Sequence, residues 1–374
     1  MNILILNWRD IKNPKSGGAE ILTHEIAKRF VRRGHKVTQF SSCFPNCLAE
    51  EEIDGVKIIR RGHSDARYFF RSVHFLAFWH YLKNFRGKFD VVIDEVHGLP
   101  FFTPWYVKEK KIVLICEVAD ELWIKMFGPF LGLFGRLTER IYLRFIYKNI
   151  PYLTISNSTK EELIREGVES KNITVLPMGL TIPKKMKKVE KEKDPTLIFV
   201  GRLSKSKGIE DAIEALRQIS KIYPKTKFWI VGGGDKNYIG YLKKIAKKLD
   251  ASNRITFWEF VSEEKKFELM GRAHLLLTPS MKEGWGLIVP EAARVQTPSV
   301  VYDVPGLRDI IVNGVNGIMV KKNTPLEIGK EVIRVLKDKD LYAKLQLNAR
   351  KTSLTYNWNN TAETVFKILK NETN

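Results

Sequence analysis

Two glutamates, Glu283 and Glu291, bracket the glycines of the stretch "KEGWGLIVPE". A carboxylate is an acceptor-only group able to take two hydroxyls, and vicinal sugar or ribose hydroxyls are ligands of that kind. The run "HLLLTPS" ends a strand at Ser280, so Glu283 lies on the loop at its carboxyl end. Pro290 fits only the first turn of a helix, which sets the helix start at about Leu287 to Pro290. The N–H groups of Gly286 and Leu287 then have no partner within the helix and stand at the positive end of its dipole, a place for a phosphate or a polar sugar edge. An acidic first turn, common by itself, explains Glu291 but not Glu283. A second loop carries cations. In "VGRLSKSKG" a strand ends at Gly201, Arg202 and Lys207 follow, and Gly208 opens a helix. Cations on a strand-to-helix loop sit where phosphates bind in α/β sheets. Arginine offers a planar fork and lysine a point charge. The spacing is not that of a Walker loop, and a solvated basic loop is the plain alternative.

Such loops need strands to carry them. Ile3 to Leu6 reads as a buried strand, followed by the glycine-bearing loop "KNPKSGGAE" and a helix from about Ala19 to Arg33. "KVTQFSS", "VKIIRR", "DVVIDEV" and "KIVLIC" add strands. Strands alternating with helices predict an α/β domain with a mostly parallel sheet. From Pro177 to Pro195 the pattern breaks into proline and charge, which reads as a linker. The alternation then restarts with "TLIFVG", a helix over Ile209 to Ile222, "KFWIVG", a helix over Tyr238 to Leu249, "ITFWEFV" and "SVVYD". The division is therefore an N-terminal domain over 1–178, a linker over 179–195, a second domain over 196–355, and a final helix over 356–374. That helix could finish the second domain or pack back on the first. Two doubly wound domains place a ligand at the carboxyl ends of their strands, in the cleft between them.

The 374 residues carry 63 Lys and Arg against 42 Asp and Glu, a formal net charge of +21. That balance favours anionic partners such as nucleotides, phosphorylated substrates or an acidic membrane surface, or else is a lysine-rich solvated exterior. Three cysteines, Cys43, Cys47 and Cys116, are too few for a disulfide scaffold and lack zinc spacing. The opening "MNILILNWRD" has no basic leader, and no apolar run reaches the ~18 residues of a membrane span. A cytoplasmic location is the default expectation.

Taken together, E-x7-E from Glu283 to Glu291, "GRLSKSKG" upstream and "GGAE" near the start resemble the retaining glycosyltransferases of family 4, with the GT-B fold, over nearly the whole chain. The resemblance implies a nucleotide-sugar donor held mainly by the C-terminal domain. It implies that Arg202 and Lys207, after Gly201, hold the donor diphosphate, that Glu291 takes the ribose hydroxyls, and that Glu283 takes the donor sugar. The backbone at Gly286 and Leu287 would cover sugar and phosphate, and the base would lie near Phe260 and Val261. Gly17 and Gly18 would approach from the N-terminal side. No cofactor is implied. Preorganised cations can stabilise the charge on a departing phosphate, so Arg202 and Lys207 could replace a metal, and no DxD-type metal signature is present. One departure stands out. The family often has a histidine after the strand written here "KIVLIC", where this chain has Cys116 and Glu117. His97, past the strand "DVVIDEV", is the candidate to line the catalytic site in its place, with Glu117 or Asp120 as alternatives on the acceptor side.

Two N-terminal segments bear on the acceptor. Arg67 to Arg86 is dense in aromatics, and Arg136, Arg140, Arg144 and Lys148 recur every four residues beside Leu133, Leu137, Ile141 and Phe145. A basic amphipathic helix suits an anionic membrane surface, with a glycan or lipid-linked acceptor on the inner membrane face. A core-packing helix with a solvated basic edge is the alternative. Nucleic-acid binding lacks any matching motif. The register of "VGGGDKNYIG" does not fit a dinucleotide fingerprint. A sugar-nucleotide epimerase of similar shape, or a non-catalytic nucleotide-sugar-binding protein, remain the rivals.

Overall fold

The computed structural model describes residues 1–65, 68–186 and 189–373; Arg67, at the head of the aromatic segment, lies outside the described residues. The chain divides into two compact units: Met1–Gly179 with the segment from Asn357 onward, and Leu180–Tyr356.

Unit 1 is built on an eight-stranded sheet. Its strands are β1 (Asn2–Leu6), β2 (Lys36–Ser41), β3 (Glu50–Ile53), β4 (Val56–Arg60), β5 (Val91–Val96), β6 (Lys110–Ile115), β7 (Tyr152–Thr154) and β8 (Ile173–Val175). The order is β3-β4-β2-β1-β5-β6-β7-β8, parallel except for β3, which pairs antiparallel with β4. That hairpin turns at Asp54 and Gly55, both at positive φ, the backbone a tight two-residue hairpin requires. Helices α1 (Gly18–Arg32), α2 (Val73–His80), α3 (Glu121–Ile141) and α4 (Asn157–Arg165) belong to this unit. The central strand β1 is apolar without alternation, as a strand covered on both faces must be: Ile3, Leu4, Ile5 and Leu6 are all buried.

Unit 2 has six strands, β9 (Thr196–Val200), β10 (Lys227–Val231), β11 (Ile255–Trp258), β12 (Leu275–Thr278), β13 (Ser299–Val301) and β14 (Ile318–Met319), in the order β11-β10-β9-β12-β13-β14 and all parallel. Its helices are α5 (Ile209–Ile222), α6 (Lys236–Lys248), α7 (Glu263–Arg272), α8 (Ile288–Arg294), α9 (Pro325–Lys337) and α10 (Lys339–Ser353). In each unit the strand order reverses once, between β1 and β5 in unit 1 and between β9 and β12 in unit 2. Loops leaving neighbouring strands at such a point diverge to opposite faces and open a crevice at the carboxyl ends. The sheets thus pick out the loops after β1, β5, β9 and β12.

The last helix, α11 (Trp358–Thr373), belongs to unit 1 and packs along α1. Trp358, Ala362, Val365 and Leu369 are buried. Arg33 pairs with Glu363 at 2.6 Å, and Phe366 stacks on His35. The stretch expected as a linker over 179–195 is partly fixed to unit 2. Lys191 is half-buried and donates to the Ala273 carbonyl at 2.6 Å and to Thr297 Oγ1 at 2.7 Å, and Glu192 pairs with Arg272 and Lys227. Composition could not reveal acceptors that lie so far along the chain.

Half of the basic stripe expected from Arg136 to Lys148 is engaged in ion pairs, while Arg144 and Lys148 stand exposed. Arg136 pairs with Asp120 at 2.6 Å and Arg140 with Glu166 at 2.8 Å. Apolar residues are exposed beside them, Leu133, Leu137 and Ile141 on α3 and Phe145 just after it.

Candidate functional site

At the switch point of unit 2 the loops after β9 and β12 are joined. Gly208 holds φ 63°, and a Cβ there would stand 2.1 Å from the Pro279 carbonyl oxygen, so only glycine lets the two loops meet. The Met281 N–H donates to the Ser206 carbonyl at 2.9 Å. Across this seam Lys207 Nζ lies 2.5 Å from Glu283 Oε1, and Ser280 Oγ donates to the same oxygen at 2.8 Å. Glu283 Oε2 takes neither bond. Gly201 N–H donates to Val231 O and Leu203 N–H to Gly233 O, which ties the β9 loop to the one after β10. Arg202 stands exposed on this loop. The Phe260 ring covers Gly233 at 3.0 Å from its would-be Cβ, and Val261 follows, half-buried, just ahead of α7.

Glu291 lies in the first turn of α8 and is buried. Lys266 of α7 reaches it, Nζ 2.9 Å from Oε2, and also pairs with Glu263 at 2.8 Å. Burial pushes the Glu291 carboxyl above its usual range, against the pull of Lys266. Burial alone would lower the Lys266 ammonium, but Glu291 and Glu263 overcome it and hold it above the ordinary value. Ahead of α8, Gly286 holds φ 84°, and a Cβ there would meet Leu307 at 2.7 Å. Lys266 was missed in the sequence because nothing in "SEEKKFELM" says which lysine turns inward. These residues suit an anionic, polyhydroxylated ligand: cations on one loop, carboxylates able to accept hydroxyls beside it.

The corresponding loops of unit 1 gather different chemistry. Glu95, on β5, is fully buried. It accepts from Asn7 Nδ2 at 2.6 Å and from Thr23 Oγ1, and His97 Nε2 lies 3.0 Å from its other oxygen. Burial pushes its pKa up, while His97 and Thr23 pull it down. The His97 ring stacks on Trp8, centroids 5.0 Å apart and planes 16° from parallel, and the Arg9 guanidinium covers the same indole at 3.8 Å. The pair with Glu95 orients His97 by fixing one ring nitrogen. Gly17 caps α1 in extended backbone, and its N–H donates to Glu20 at 2.7 Å. That amide is already engaged, so an approach here is through the open face of Gly17 and Gly18. Cys116 is buried, its thiol pushed well above the ordinary range by burial and by Glu95, Glu20 and Glu117. Asp120 is tied to Arg136. Trp8 and Glu95 were not foreseen; their position at the ends of β1 and β5 was the signal. Among the described residues no three His, Cys, Asp or Glu side chains converge as a metal-ligand set.

Comparison with known proteins gives a consistent picture. The profile of "Glycosyl transferases group 1" matches residues 181–352, and that of "Glycosyltransferase Family 4" matches residues 16–182. An uncharacterized glycosyltransferase of Methanocaldococcus jannaschii is 27% identical, over 99% of this chain and 98% of its own. Sucrose-phosphate synthase of Thermosynechococcus elongatus superposes with a TM-score of 0.83 at 17% identity, over 99% of this chain and 98% of that one. HepE of Anabaena, solved in complex with UDP-glucose, gives 0.77 at 16% identity, over 99% and 100%. At these identities the structural likeness shows the fold, two Rossmann-like units of the GT-B type.

Proposed function

Since the chain belongs to the family 4, group 1 glycosyltransferases, we propose that it moves a sugar, with retention of configuration, from a nucleotide-diphosphate sugar to a hydroxyl acceptor. The observation that carries this reading is the Lys207–Glu283 contact at the unit 2 switch point, an ammonium suited to phosphate 2.5 Å from a carboxylate suited to hydroxyls. Arg202 and Lys207 hold the diphosphate. Glu283 takes hydroxyls of the transferred sugar, and Glu291 those of the ribose. The backbone at Gly201, Gly286 and Leu287 closes on sugar and phosphate, and the base lies toward Val261. That HepE was solved with UDP-glucose supports a donor of this class.

The chemistry follows from these groups. The bond from the anomeric carbon to the distal phosphate breaks, leaving negative charge on the diphosphate and an oxocarbenium-like sugar. Arg202 and Lys207 stabilise that charge without a metal. The acceptor oxygen bonds to the anomeric carbon on the face the phosphate left, and the phosphate takes its proton. His97, held by Glu95 and Trp8, faces the acceptor side. The acceptor is a glycan or lipid-linked sugar at the inner face of an anionic membrane, for a cell-envelope glycan. The exposed apolar residues of α3 support a lipid surface, and no helix among the described residues is long and apolar enough to cross a membrane.

The test is a thermal-shift screen against UDP, GDP, ADP and their sugars, on the natural protein and on Arg202→Ala. A ligand at a hundred times its dissociation constant adds about 2.7 kcal/mol of stability. A shift with one nucleotide, lost in the variant, is the expected result. No shift with any of them overturns the donor assignment.

A further inference from the structure

The segment Glu121–Ile141 is not one straight amphipathic helix. Gly128, at φ 78° and ψ 175°, breaks it into two arms, and Pro129 opens the second. The arms close backbone to backbone. A Cβ on Gly132 would stand 2.3 Å from Ile124 Cα, and one on Gly135 would stand 2.6 Å from the Trp123 ring. Only glycine permits that approach, so the segment folds as a helical hairpin with "FGPF" at its tip. The tip is apolar and open: Phe130 is 89% exposed, Phe134 70%, Leu131 69% and Phe127 49%.

The base of the hairpin is bolted down. Glu139 is buried and accepts from the Asp120 N–H at 2.7 Å, the Ala119 N–H at 2.9 Å and Trp123 Nε1 at 3.1 Å. Tyr142 OH donates to the Gly98 carbonyl at 2.9 Å, and the Trp123 ring lies 3.1 Å from where a Gly98 Cβ would be. These contacts fix the hairpin to the loops after β5 and β6, the loops that carry His97 and Cys116.

We propose that this hairpin is a membrane wedge, whose tip enters the outer acyl region of a phospholipid bilayer and holds the His97 end of unit 1 at the lipid surface. This rests on the proposed lipid-linked acceptor and names the surface that meets it. A cluster of four aromatic and aliphatic side chains left to water is costly, and the headgroup–acyl boundary is the medium that takes such a face. The chain's net charge of +21 complements anionic headgroups. Arg136 and Arg140 are paired with Asp120 and Glu166, so the apolar tip supplies the main grip, with the exposed Arg144 and Lys148 left to meet headgroups. The longer arm, residues 129–141, extends roughly 20 Å at the helical rise, short of a ~30 Å hydrocarbon core, so the insertion is shallow.

The test uses the full chain and vesicles of phosphatidylcholine, with and without phosphatidylglycerol, at low and high salt. The natural protein should co-sediment with the mixed vesicles and keep part of that binding at high salt. The double variant Phe130→Glu, Phe134→Glu should bind at least roughly tenfold more weakly, with unchanged thermal unfolding and an unchanged nucleotide shift. In Phe130→Trp the indole emission should move to the blue on vesicles and be quenched by brominated acyl chains. Equal binding by the double variant overturns the wedge while leaving the membrane reading in place. Binding abolished by salt, without a blue shift, also overturns it, in favour of a purely electrostatic contact. A dimer in solution that the double variant disperses, with no blue shift, assigns the tip to a second copy of the chain. A natural protein that binds no vesicle overturns both wedge and membrane reading, while the nucleotide shift still reports the donor site separately.

Discussion

At the switch point of unit 2 each acid meets a lysine: Glu283 meets Lys207, and Glu291 meets Lys266, which Glu263 shares. At the switch point of unit 1, Asp94 and Glu95 stand side by side on β5, fully buried, and rely on hydrogen bonds. Asp94 accepts from Thr103 Oγ1 at 2.7 Å, from Tyr147 OH and from the Phe101 N–H at 3.2 Å. Glu95 accepts from Asn7 and Thr23 and faces His97. The same sheet geometry thus carries two electrostatic solutions. A lysine paired with a carboxylate can be handed to an incoming diphosphate, because the ligand replaces one anion with another. A carboxylate that satisfies several buried donors cannot move without stranding them. The acids of unit 2 are thus paired with cations that an anion could draw away, and those of unit 1 are locked into a fixed hydrogen-bonded frame.

Substitutions can break or sharpen that contrast. The largest effect belongs to Lys207→Ala. Loss of one preorganised charge from a transfer site costs about 10²- to 10³-fold in kcat, measured as sugar transfer with the donor found by the nucleotide screen; a variant of undiminished kcat removes the exchange argument. Asp94→Ala comes next and acts on stability. It leaves Thr103 and Tyr147 without their acceptor and should cost about 1–3 kcal/mol in urea unfolding, while Lys207→Ala unfolds close to the natural protein. Equal losses in both would erase the contrast. Third is a pH effect. On the proposal that Glu291 takes the ribose hydroxyls as a carboxylate, its charge matters, and burial raises its pKa. Nucleotide affinity therefore weakens as pH falls, beginning above the usual carboxylate range. Lys266→Met removes the opposing charge and should move that acid limb further up, each unit of displacement being worth about tenfold at a pH below it. An acid limb that stays put would show that Lys266 does not set the Glu291 charge. The smallest change is Arg136→Ala. Its ion pair with Asp120 is about one-third exposed, so its loss should cost under about 1 kcal/mol, which differential unfolding can bound.

Much of the frame was legible in the sequence. The helix Ile209–Ile222 falls where its apolar spacing put it, and the β9 and β12 loops carry Lys207 and Glu283 as motif spacing suggested. Three features were not legible, for separate reasons. The amphipathic pattern of α11 does not name its partner, and only the assembled fold shows that it is α1. Lys266 gains its meaning from Glu291, which another helix supplies. The basic stripe was visible, but the acids that pair with Arg136 and Arg140 lie elsewhere in the chain. The break at Gly128–Pro129 did have a signal, since a Gly-Pro pair inside an apolar run punctuates helices; the four-residue repeat of arginines obscured it.

The placement of α11 has a consequence for how the protein is made. Unit 2 is one continuous stretch, Leu180–Tyr356, whereas unit 1 is interrupted by it and closes only with the segment from Asn357 onward. Domains ordinarily fold in the order they leave the ribosome, at about 5–20 residues per second. Here the order is inverted: the first unit synthesised is the last completed. For the roughly 10–35 s needed to translate unit 2 at that pace, α1 waits with its outer face, around Phe30 and His35, uncovered. A nascent chain of this kind is exposed to chaperones and to premature association through that face, and a chain arrested just after Tyr356 would carry a complete second unit joined to an unfinished first.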